Sequence, residues 1–311
     1  MKKYIKIARI DHWIKQLFIM PGVVLAMLIT HKKIGDVSLY NFIAGFIGTC
    51  FIASANYVIN EWLDAPYDKY HPTKKNRPVV TENMKAKWVI LEYIFLSMIG
   101  LGISFSVNKL FFIVAFVLLI MGVLYNVKPF RTKDIPFVDV ISESANNMLR
   151  LMMGWFIVSC DSISPSSVLI GYWMAGAFLM ATKRFAEFRM IGDKSVAGLY
   201  RRSFKFYTEK SLLASALFYA LIATFSLGVF MIKYRIEYIL VTPVMFLLFA
   251  YYLAMSLDPD SAVQRPEKLF KEKKLMLMVF VIIIAFITLT FVNLDFLNGL
   301  TSDTLVWVKP N

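Results

Sequence analysis

The sequence is poor in cysteine and lacks the short phosphate-binding motifs of soluble enzymes, and each shortage excludes a class of protein. Cys50 and Cys160 are the two cysteines; they lie within or at the end of apolar segments without metal-type spacing, so no disulfide framework is indicated. The patterns GxxxxGK and GxGxxG are absent, and no convincing pair of nucleophile and base occurs. No serine- or glycine-rich linker interrupts the chain, so we expect one domain over residues 1–311.

Charged residues are also scarce, at 18%, whereas 58% of the residues are hydrophobic and the mean hydropathy is +0.61. This balance is typical of a polytopic membrane protein. An apolar run of about 18 to 25 residues is long enough to cross a bilayer as a helix. Such runs predict an all-α membrane protein with nine transmembrane helices, at residues 13–30, 39–62, 86–106, 110–126, 136–158, 165–187, 211–232, 236–257 and 275–294.

The net charge of +13 is distributed unevenly along the chain. With nine spans, 27 of the 34 Lys and Arg residues fall on the side of the N-terminus. The positive-inside rule then predicts a cytoplasmic N-terminus and an outward C-terminus in the inner (cytoplasmic) membrane. Residues 1–12 are expected to form a cytoplasmic interfacial segment, and residues 295–311 a short outward tail. The cations therefore indicate a membrane surface and no nucleic acid.

An acidic stripe is expected at the inner end of the second span, in the stretch NEWLDAPYD. On a helix, Asn60, Glu61, Asp64 and Asp68 fall within an arc of about 100°. Pro66 removes one backbone hydrogen bond from the last turn, so an irregular turn is expected to place Asp68.

Carboxylates crowded on one face raise one another's pKa unless cations neutralise them. Mg²⁺ does so with one or two carboxylates and the oxygens of a substrate phosphate. Lys74, Lys75 and Arg77, which follow the stripe, suit a diphosphate. The other interpretation is a solvated ionic loop at the membrane surface.

A second polar stripe lies deeper in apolar sequence. Asp139, Glu143, Asn146 and Arg150 share one narrow face of the fifth predicted span. Because ionisable residues inside a span are costly, they predict a functional site that faces the bundle interior. The other interpretation is an interhelical ion pair that holds the bundle together.

A third cluster ends the sixth predicted span, where Lys183, Arg184 and Glu187 fall within about 100° of arc. Arg201 and Arg202 follow; we interpret them as topological anchors, and the other interpretation is that they are ligands. Two acidic clusters that face one inner cavity, each followed by cations, indicate Mg²⁺-assisted departure of diphosphate.

These motifs resemble those of the UbiA superfamily of intramembrane prenyltransferases. Its first motif reads approximately NDxxDxxxD, which NEWLDAPYD matches with Glu61 in place of Asp. Within it, the decaprenyl-phosphate phosphoribosyltransferase branch is similar in its His-Pro-Thr-Lys, here His71 to Lys74, and in a Lys before the second acidic motif, here Lys133. Further similarities lie at Arg77, Arg150, Lys183, Arg184 and Glu187.

The resemblance implies nine helices around a central cavity open to the cytoplasmic side. It also implies phosphoribosyl diphosphate as donor, a polyprenyl phosphate as acceptor, and Mg²⁺. We expect Asp64, Asp68, Asp139 and Glu143 to be catalytic, with Asn60, Glu61, Asp64 and Asp68 at the metal. The expected substrate-binding residues are Lys74, Arg77, Lys133, Asn146, Arg150, Lys183, Arg184 and Glu187.

Two alternatives stay open. A prenyltransferase of quinone biosynthesis has the same fold with a prenyl diphosphate donor and an aromatic acceptor, but its usual loop lacks the His-Pro-Thr-Lys. A transporter predicts acidic residues near the bilayer midplane and repeated broken helices. Here both acidic clusters begin near the inner surface, which favours an enzyme.

Overall fold

The regular secondary structure in the part of the chain that the structure describes is entirely helical. The structure, a computed structural model, describes residues 2–258, 261–264, 269 and 271–300, and no strand occurs among them. The predicted all-α fold class is confirmed. Residues 301–311 of the predicted outward tail lie outside the described residues.

The described part of the chain forms twelve α-helices, of which nine overlap the nine predicted spans. The twelve are α1 (Lys2–Ile7), α2 (Met20–Thr30), α3 (Leu39–Asp68), α4 (Pro78–Thr81), α5 (Ala86–Val107), α6 (Lys109–Asn126), α7 (Val138–Val158), α8 (Ser166–Ile191), α9 (Lys194–Tyr200), α10 (Glu209–Tyr234), α11 (Thr242–Ser256) and α12 (Lys273–Phe291). Short 3₁₀ helices lie at Ile10–Ile19, Ile34–Asp36, Lys74–Asn76, Thr132–Asp134, Arg202–Lys205, Ile236–Val241, Ala262–Gln264 and Asp295–Leu300.

Seven helical stretches in the described part of the chain are long and apolar enough to cross a membrane. They are Lys3–Thr30, Leu39–Asp68, Ala86–Val107, Lys109–Asn126, Glu209–Tyr234, Ile236–Ser256 and Lys273–Phe291. The other two predicted spans are the long helices α7 and α8, which carry the second and third polar clusters. These side chains make both helices more polar than the seven stretches.

Helix α3 differs from the expectation at its end. It continues through Pro66 to Asp68, so Asp68 lies on the helix and no irregular turn places it. The ion pair between Asp68 and Arg77 (2.7 Å) ties this last turn to the following loop. That contact offsets the backbone hydrogen bond that a proline removes.

Helix α7 is central in the bundle, because it packs against α2, α6 and α8. Two glycines allow its close crossing with α2. A Cβ atom added to Gly154 would lie 2.0 Å from the carbonyl oxygen of Ile19, and one added to Gly22 would lie 1.9 Å from that of Leu151. Only glycine fits at either position unless the two backbones separate.

Gly154→Ala is therefore expected to destabilise the protein by about 1–3 kcal/mol, as overpacking against backbone does. The matched control is Gly102→Ala on α5, where an added Cβ has no atom within 4 Å. That control is expected to be neutral or slightly stabilising, since alanine favours the helix. Thermal unfolding in detergent micelles measures both, and equal melting temperatures would contradict the close crossing.

Candidate active site

The acidic stripe of α3 is paired with cations from three other segments. Asp64 accepts a hydrogen bond from Arg131 (3.0 Å) and another from Lys133. Arg131 also pairs with Asp134 (3.2 Å). Asp64 is thus held by the loop between α6 and α7, which sequence spacing alone does not bring near it.

Glu61 and Asp68 lie about one helical turn before and after Asp64, and both pair with the same cation. Arg77 pairs with Asp68 at 2.7 Å and with Glu61 at 3.4 Å, and Arg9 reaches Glu61 at 3.3 Å. Glu61 and Asp68 are almost fully buried. Their carboxylates raise the pKa of Arg77 despite its burial, which keeps this guanidinium charged.

The side chain of Asn60 forms a hydrogen bond with the side-chain amide of Asn126. Its Nδ2 donates to Oδ1 of Asn126 (2.6 Å), and that oxygen also accepts from Lys133 (2.6 Å). Asn60, Asn126, Lys133 and Asp64 therefore form one chain of hydrogen bonds. Burial lowers the pKa of Lys133 to about 8, and the carboxylate of Asp64 opposes that shift.

The second acidic motif surrounds one buried arginine. Arg184, only 2% exposed, pairs with Asp139 (3.6 Å), with Glu143 and with Glu187 (3.2 Å). Glu143 also accepts a hydrogen bond from the hydroxyl of Tyr125 (2.7 Å). The predicted second and third clusters are thus one unit in space, because Arg184 on α8 joins both acids of α7.

Asp139 is fully buried and is held by the segment that follows α9. Its carboxylate accepts hydrogen bonds from Tyr207 (2.6 Å), Ser203 (3.2 Å) and Arg201 (3.3 Å). Burial raises the pKa of Tyr207, and the Asp139 carboxylate raises it further. The phenol therefore stays protonated and acts as a hydrogen-bond donor. Arg201, which the sequence suggests as a topological anchor, thus also contacts a carboxylate of the cluster.

The two acidic motifs are connected. Lys74, from the loop after α3, pairs with Glu187 of α8 (3.3 Å) and donates to the hydroxyl of Tyr200. Arg201 contacts Tyr125 (3.3 Å) as well as Asp139. The ends of α3, α6, α7 and α8 therefore meet in one charged cluster at one end of the bundle.

A small cavity lies inside this cluster. Its volume is about 20 Å³, enough for one water molecule or one ion. The lining residues are Asp64, Tyr67, Asp68, Arg131, Lys133, Asp134, Tyr200 and Arg201.

The residues that line the cavity include carboxylates suited to Mg²⁺, the ion that the sequence predicts. Asp64 and Asp68 present hard carboxylate oxygens to the cavity, and Mg²⁺ prefers one or two carboxylates together with phosphate oxygens. The donor set fits this ion. Within the described ranges, no group of three or more His, Cys, Asp or Glu side chains forms a metal site by itself.

Three predicted residues lie apart from the ion pairs. Arg150 donates to Gln16 (2.8 Å) and Asn147 (3.3 Å) and pairs with no carboxylate in the described part of the chain. On the same helix, the side-chain oxygen of Asn146 is buried without a hydrogen-bond partner among the described residues. Lys183 is half-buried, and no described carboxylate lies within 4 Å of its amine.

The sequence predictions missed several residues of the cluster. They are Arg9, Tyr125, Asn126, Arg131, Tyr200, Ser203 and Tyr207. Tyr125 and Asn126 end a predicted apolar span, where aromatic and amide residues are common without any functional role. Tyr200 ends the short helix α9 and Ser203 lies in a four-residue 3₁₀ helix, while the others lie between helices. Segments this short give no signal of helical periodicity.

Tyr207→Phe is expected to loosen the segment from α9 to residue 207, because it removes a hydrogen bond to a buried carboxylate. A bond to a charged group contributes about 1.5–3 kcal/mol, so local opening should become about 10- to 150-fold more frequent. Limited trypsin digestion after Arg202 and Lys205 measures this opening. Tyr70→Phe, at an exposed tyrosine, is the control; equal cleavage rates would contradict the role of Tyr207.

The fold and the site together define an integral membrane protein with a buried charged cluster at one end of a helical bundle. A model of the UbiA prenyltransferase family matches residues 19–280, and the chain belongs to this family. The resemblance found in the motifs is thus confirmed at the level of the family.

Two curated relatives carry the same name. The chain is 26% identical over 215 residues to the decaprenyl-phosphate phosphoribosyltransferase of Corynebacterium glutamicum, covering 67% of this chain and 60% of that protein. It is 27% identical over 212 residues to the Mycolicibacterium smegmatis protein of that name, covering 67% and 63%. The chain thus spans less than two thirds of the length of either relative.

A solved structure shares the fold. The UbiA homolog from Archaeoglobus fulgidus, bound to GPP and Mg²⁺, aligns with a TM-score of 0.70 at 20% identity, over 93% of this chain and all of that chain.

Proposed function

We propose that this protein is an integral-membrane transferase that moves a 5-phosphoribosyl group from phosphoribosyl diphosphate to a polyprenyl phosphate and releases diphosphate. The proposal depends on the charged cluster at one end of the bundle, in which seven carboxylates and eight cations lie together beside apolar helices. The carboxylates are Glu61, Asp64, Asp68, Asp134, Asp139, Glu143 and Glu187, and the cations are Arg9, Lys74, Arg77, Arg131, Lys133, Arg184, Arg201 and Arg202. The names of the two curated relatives support the same reaction.

The proposed membrane arrangement keeps all nine predicted spans, with α7 and α8 crossing beside the seven apolar stretches. Their polar side chains face other helices, as the ion pairs of Arg184 indicate. The N-terminus is cytoplasmic and the C-terminus is outside. The charged cluster then faces the cytoplasm, where a water-soluble donor meets a lipid acceptor, and residues 1–311 act as one domain.

The α3 residues Asn60, Glu61, Asp64 and Asp68 would hold Mg²⁺, which supplies positive charge to the diphosphate of the donor. Each of these carboxylates contacts protein cations. A bound diphosphate would attract the same cations. We propose that Arg77 and Lys133 move from carboxylate to phosphate oxygens, which frees carboxylate oxygens of Glu61, Asp64 and Asp68 for the ion.

The chemical step breaks the bond between the anomeric carbon and the diphosphate, whose oxygen keeps the electron pair. An oxygen of the acceptor phosphate forms the new bond to that carbon. Because the acceptor is already an anion, no strong base is required. Lys74, Arg77, Lys133, Lys183 and Arg184 neutralise the growing charge of the departing diphosphate, which lowers the barrier.

Deeper on α7, Arg150 has neutral amide partners. We propose that it neutralises the acceptor phosphate, with Asn146 on the same face. Asp139 accepts hydrogen bonds from Tyr207, Ser203 and Arg201, and it orders the site by holding these side chains in place. Glu143 orients Arg184 and the ribose.

The second candidate is prenyl transfer to an aromatic acceptor. It is favoured by the fold shared with the Archaeoglobus fulgidus homolog, which was solved with GPP. The same carboxylates and Mg²⁺ would then hold a prenyl diphosphate. The two candidates differ in which substrate carries the diphosphate.

The experiment that tests the proposal offers the purified protein two substrate pairs in detergent with Mg²⁺. One pair is phosphoribosyl diphosphate with a polyprenyl phosphate, and the other is a prenyl diphosphate with an aromatic acid. Mass spectrometry of the lipid extract identifies the products. We expect a phosphoribosylated lipid from the first pair, and a product from the second pair alone would establish the prenyltransferase instead.

A further inference from the structure

His71, the first residue of the His-Pro-Thr-Lys stretch, has a defined ring orientation. Its Nδ1 accepts hydrogen bonds from the backbone N–H groups of Thr73 and Lys74, both at 3.2 Å. A nitrogen that accepts from N–H groups carries no proton, so the neutral ring has its proton on Nε2. The loop therefore fixes the tautomer of His71.

The Nε2–H group of His71 has no hydrogen-bond partner among the described residues, although the side chain is 96% buried. A buried donor without a partner destabilises the protein and is uncommon in folded proteins. Capping the loop requires only Nδ1, so it does not account for a buried N–H on the opposite side of the ring. The unsatisfied donor indicates a ligand.

The charges near His71 favour an anion as that ligand. Lys74, Arg77 and Lys183 are the cations whose charges act on the ring, and Glu187 is the carboxylate. Glu187 already pairs with Lys74 and Arg184, so it leaves no net negative charge there. The ring also contacts Tyr200 edge to face (4.6 Å between centroids), and Tyr200 lines the cavity beside Asp64 and Asp68.

We propose that Nε2 of His71 donates a hydrogen bond to a phosphate oxygen of the donor substrate, next to Lys74. This inference rests on the proposed function, and it adds a neutral donor to a site of cations. His71 thereby has two separate tasks, since Nδ1 shapes the loop and Nε2 binds the substrate.

Two substitutions separate these tasks. In His71→Asn, the side-chain oxygen can accept from the backbone N–H groups two and three residues on, as Asn does in turns, but the Nε2 donor is lost. In His71→Gln, the longer amide can replace the Nε2 donor, whereas the loop cap is lost. Isothermal titration with phosphoribosyl diphosphate and Mg²⁺ gives the affinity, and thermal unfolding gives the stability.

We expect His71→Asn to melt like the wild type but to bind the donor about tenfold or more weakly, the effect of losing one hydrogen bond to a charged group. His71→Gln should melt at a lower temperature and retain more of the affinity. Equal binding by His71→Asn and the wild type would overturn the role of Nε2 and leave the proposed function intact. No binding by the folded wild-type protein would contradict the proposed function itself, and the role of His71 with it.

Discussion

Asp64→Asn is expected to lower the rate of phosphoribosyl transfer about 100- to 1000-fold, the size of effect seen when a preorganised electrostatic group is removed from an active site. Asp64 is the carboxylate that Arg131 and Lys133 share beside the cavity, and we propose that it binds the metal. Asparagine keeps its size and one oxygen but removes the charge. The measurement is the initial rate at saturating donor, acceptor and Mg²⁺.

The matched control for Asp64→Asn is Glu82→Gln. Glu82 is exposed and makes no ion pair with a described residue. It carries the same type of charge, so its loss should leave the transfer rate unchanged. A folded Asp64→Asn protein with the activity of the control would contradict the role of the α3 stripe.

Arg184→Leu is expected to destabilise the protein by about 3–5 kcal/mol, because removing one partner of a buried ion pair leaves uncompensated charge. Arg184 is the shared partner of Asp139, Glu143 and Glu187. Without it, Asp139 retains Arg201, and Glu187 retains Lys74. Glu143 loses its ion-pair partner within the described residues.

Arg184→Lys is the control for this prediction. It keeps the charge, but an ammonium lacks the planar fork that contacts three carboxylates, so an intermediate loss is expected. Chemical unfolding in detergent measures both variants. An Arg184→Leu protein as stable as the wild type would show that α7 and α8 are held together without the arginine.

Periodicity is the reason why the α3 and α7 stripes could be predicted. Residues that share a face of a helix stay neighbours whatever the helix packs against, so Asp64 and Asp68 line one cavity, and Asp139 and Glu143 meet one arginine. The same argument placed Arg150 with Asp139. A stripe extends over the whole length of a helix, however, and Arg150, three turns away, meets Gln16 of the N-terminal segment instead.

The loop residues could not be predicted, because their positions depend on contacts distant in sequence. Tyr207 reaches Asp139 across 68 residues, and Lys74 reaches Tyr200 across 126. Arg201 is a cation in a basic stretch beside a predicted span, which is typical of a membrane anchor. Burial beside a carboxylate is visible only after the bundle is assembled.

Nine spans were predicted, and seven stretches of the described chain meet the length and apolarity of a membrane helix. The two that do not are α7 and α8, the helices that carry Asp139, Glu143 and Arg184. Ionisable side chains are costly inside a membrane, and they lower the hydropathy of α7 and α8 below that of the seven stretches.

In the proposed reaction, the donor loses its diphosphate while its phosphoribosyl group joins a lipid. A doubly labelled donor tests it most directly, with ¹⁴C in the ribose and ³²P in the diphosphate. After incubation with polyprenyl phosphate and Mg²⁺, we expect ¹⁴C in the organic phase and ³²P in water as diphosphate, in equal amounts. Both labels remaining in the aqueous phase, with an active prenyl transfer from prenyl diphosphate, would contradict the account.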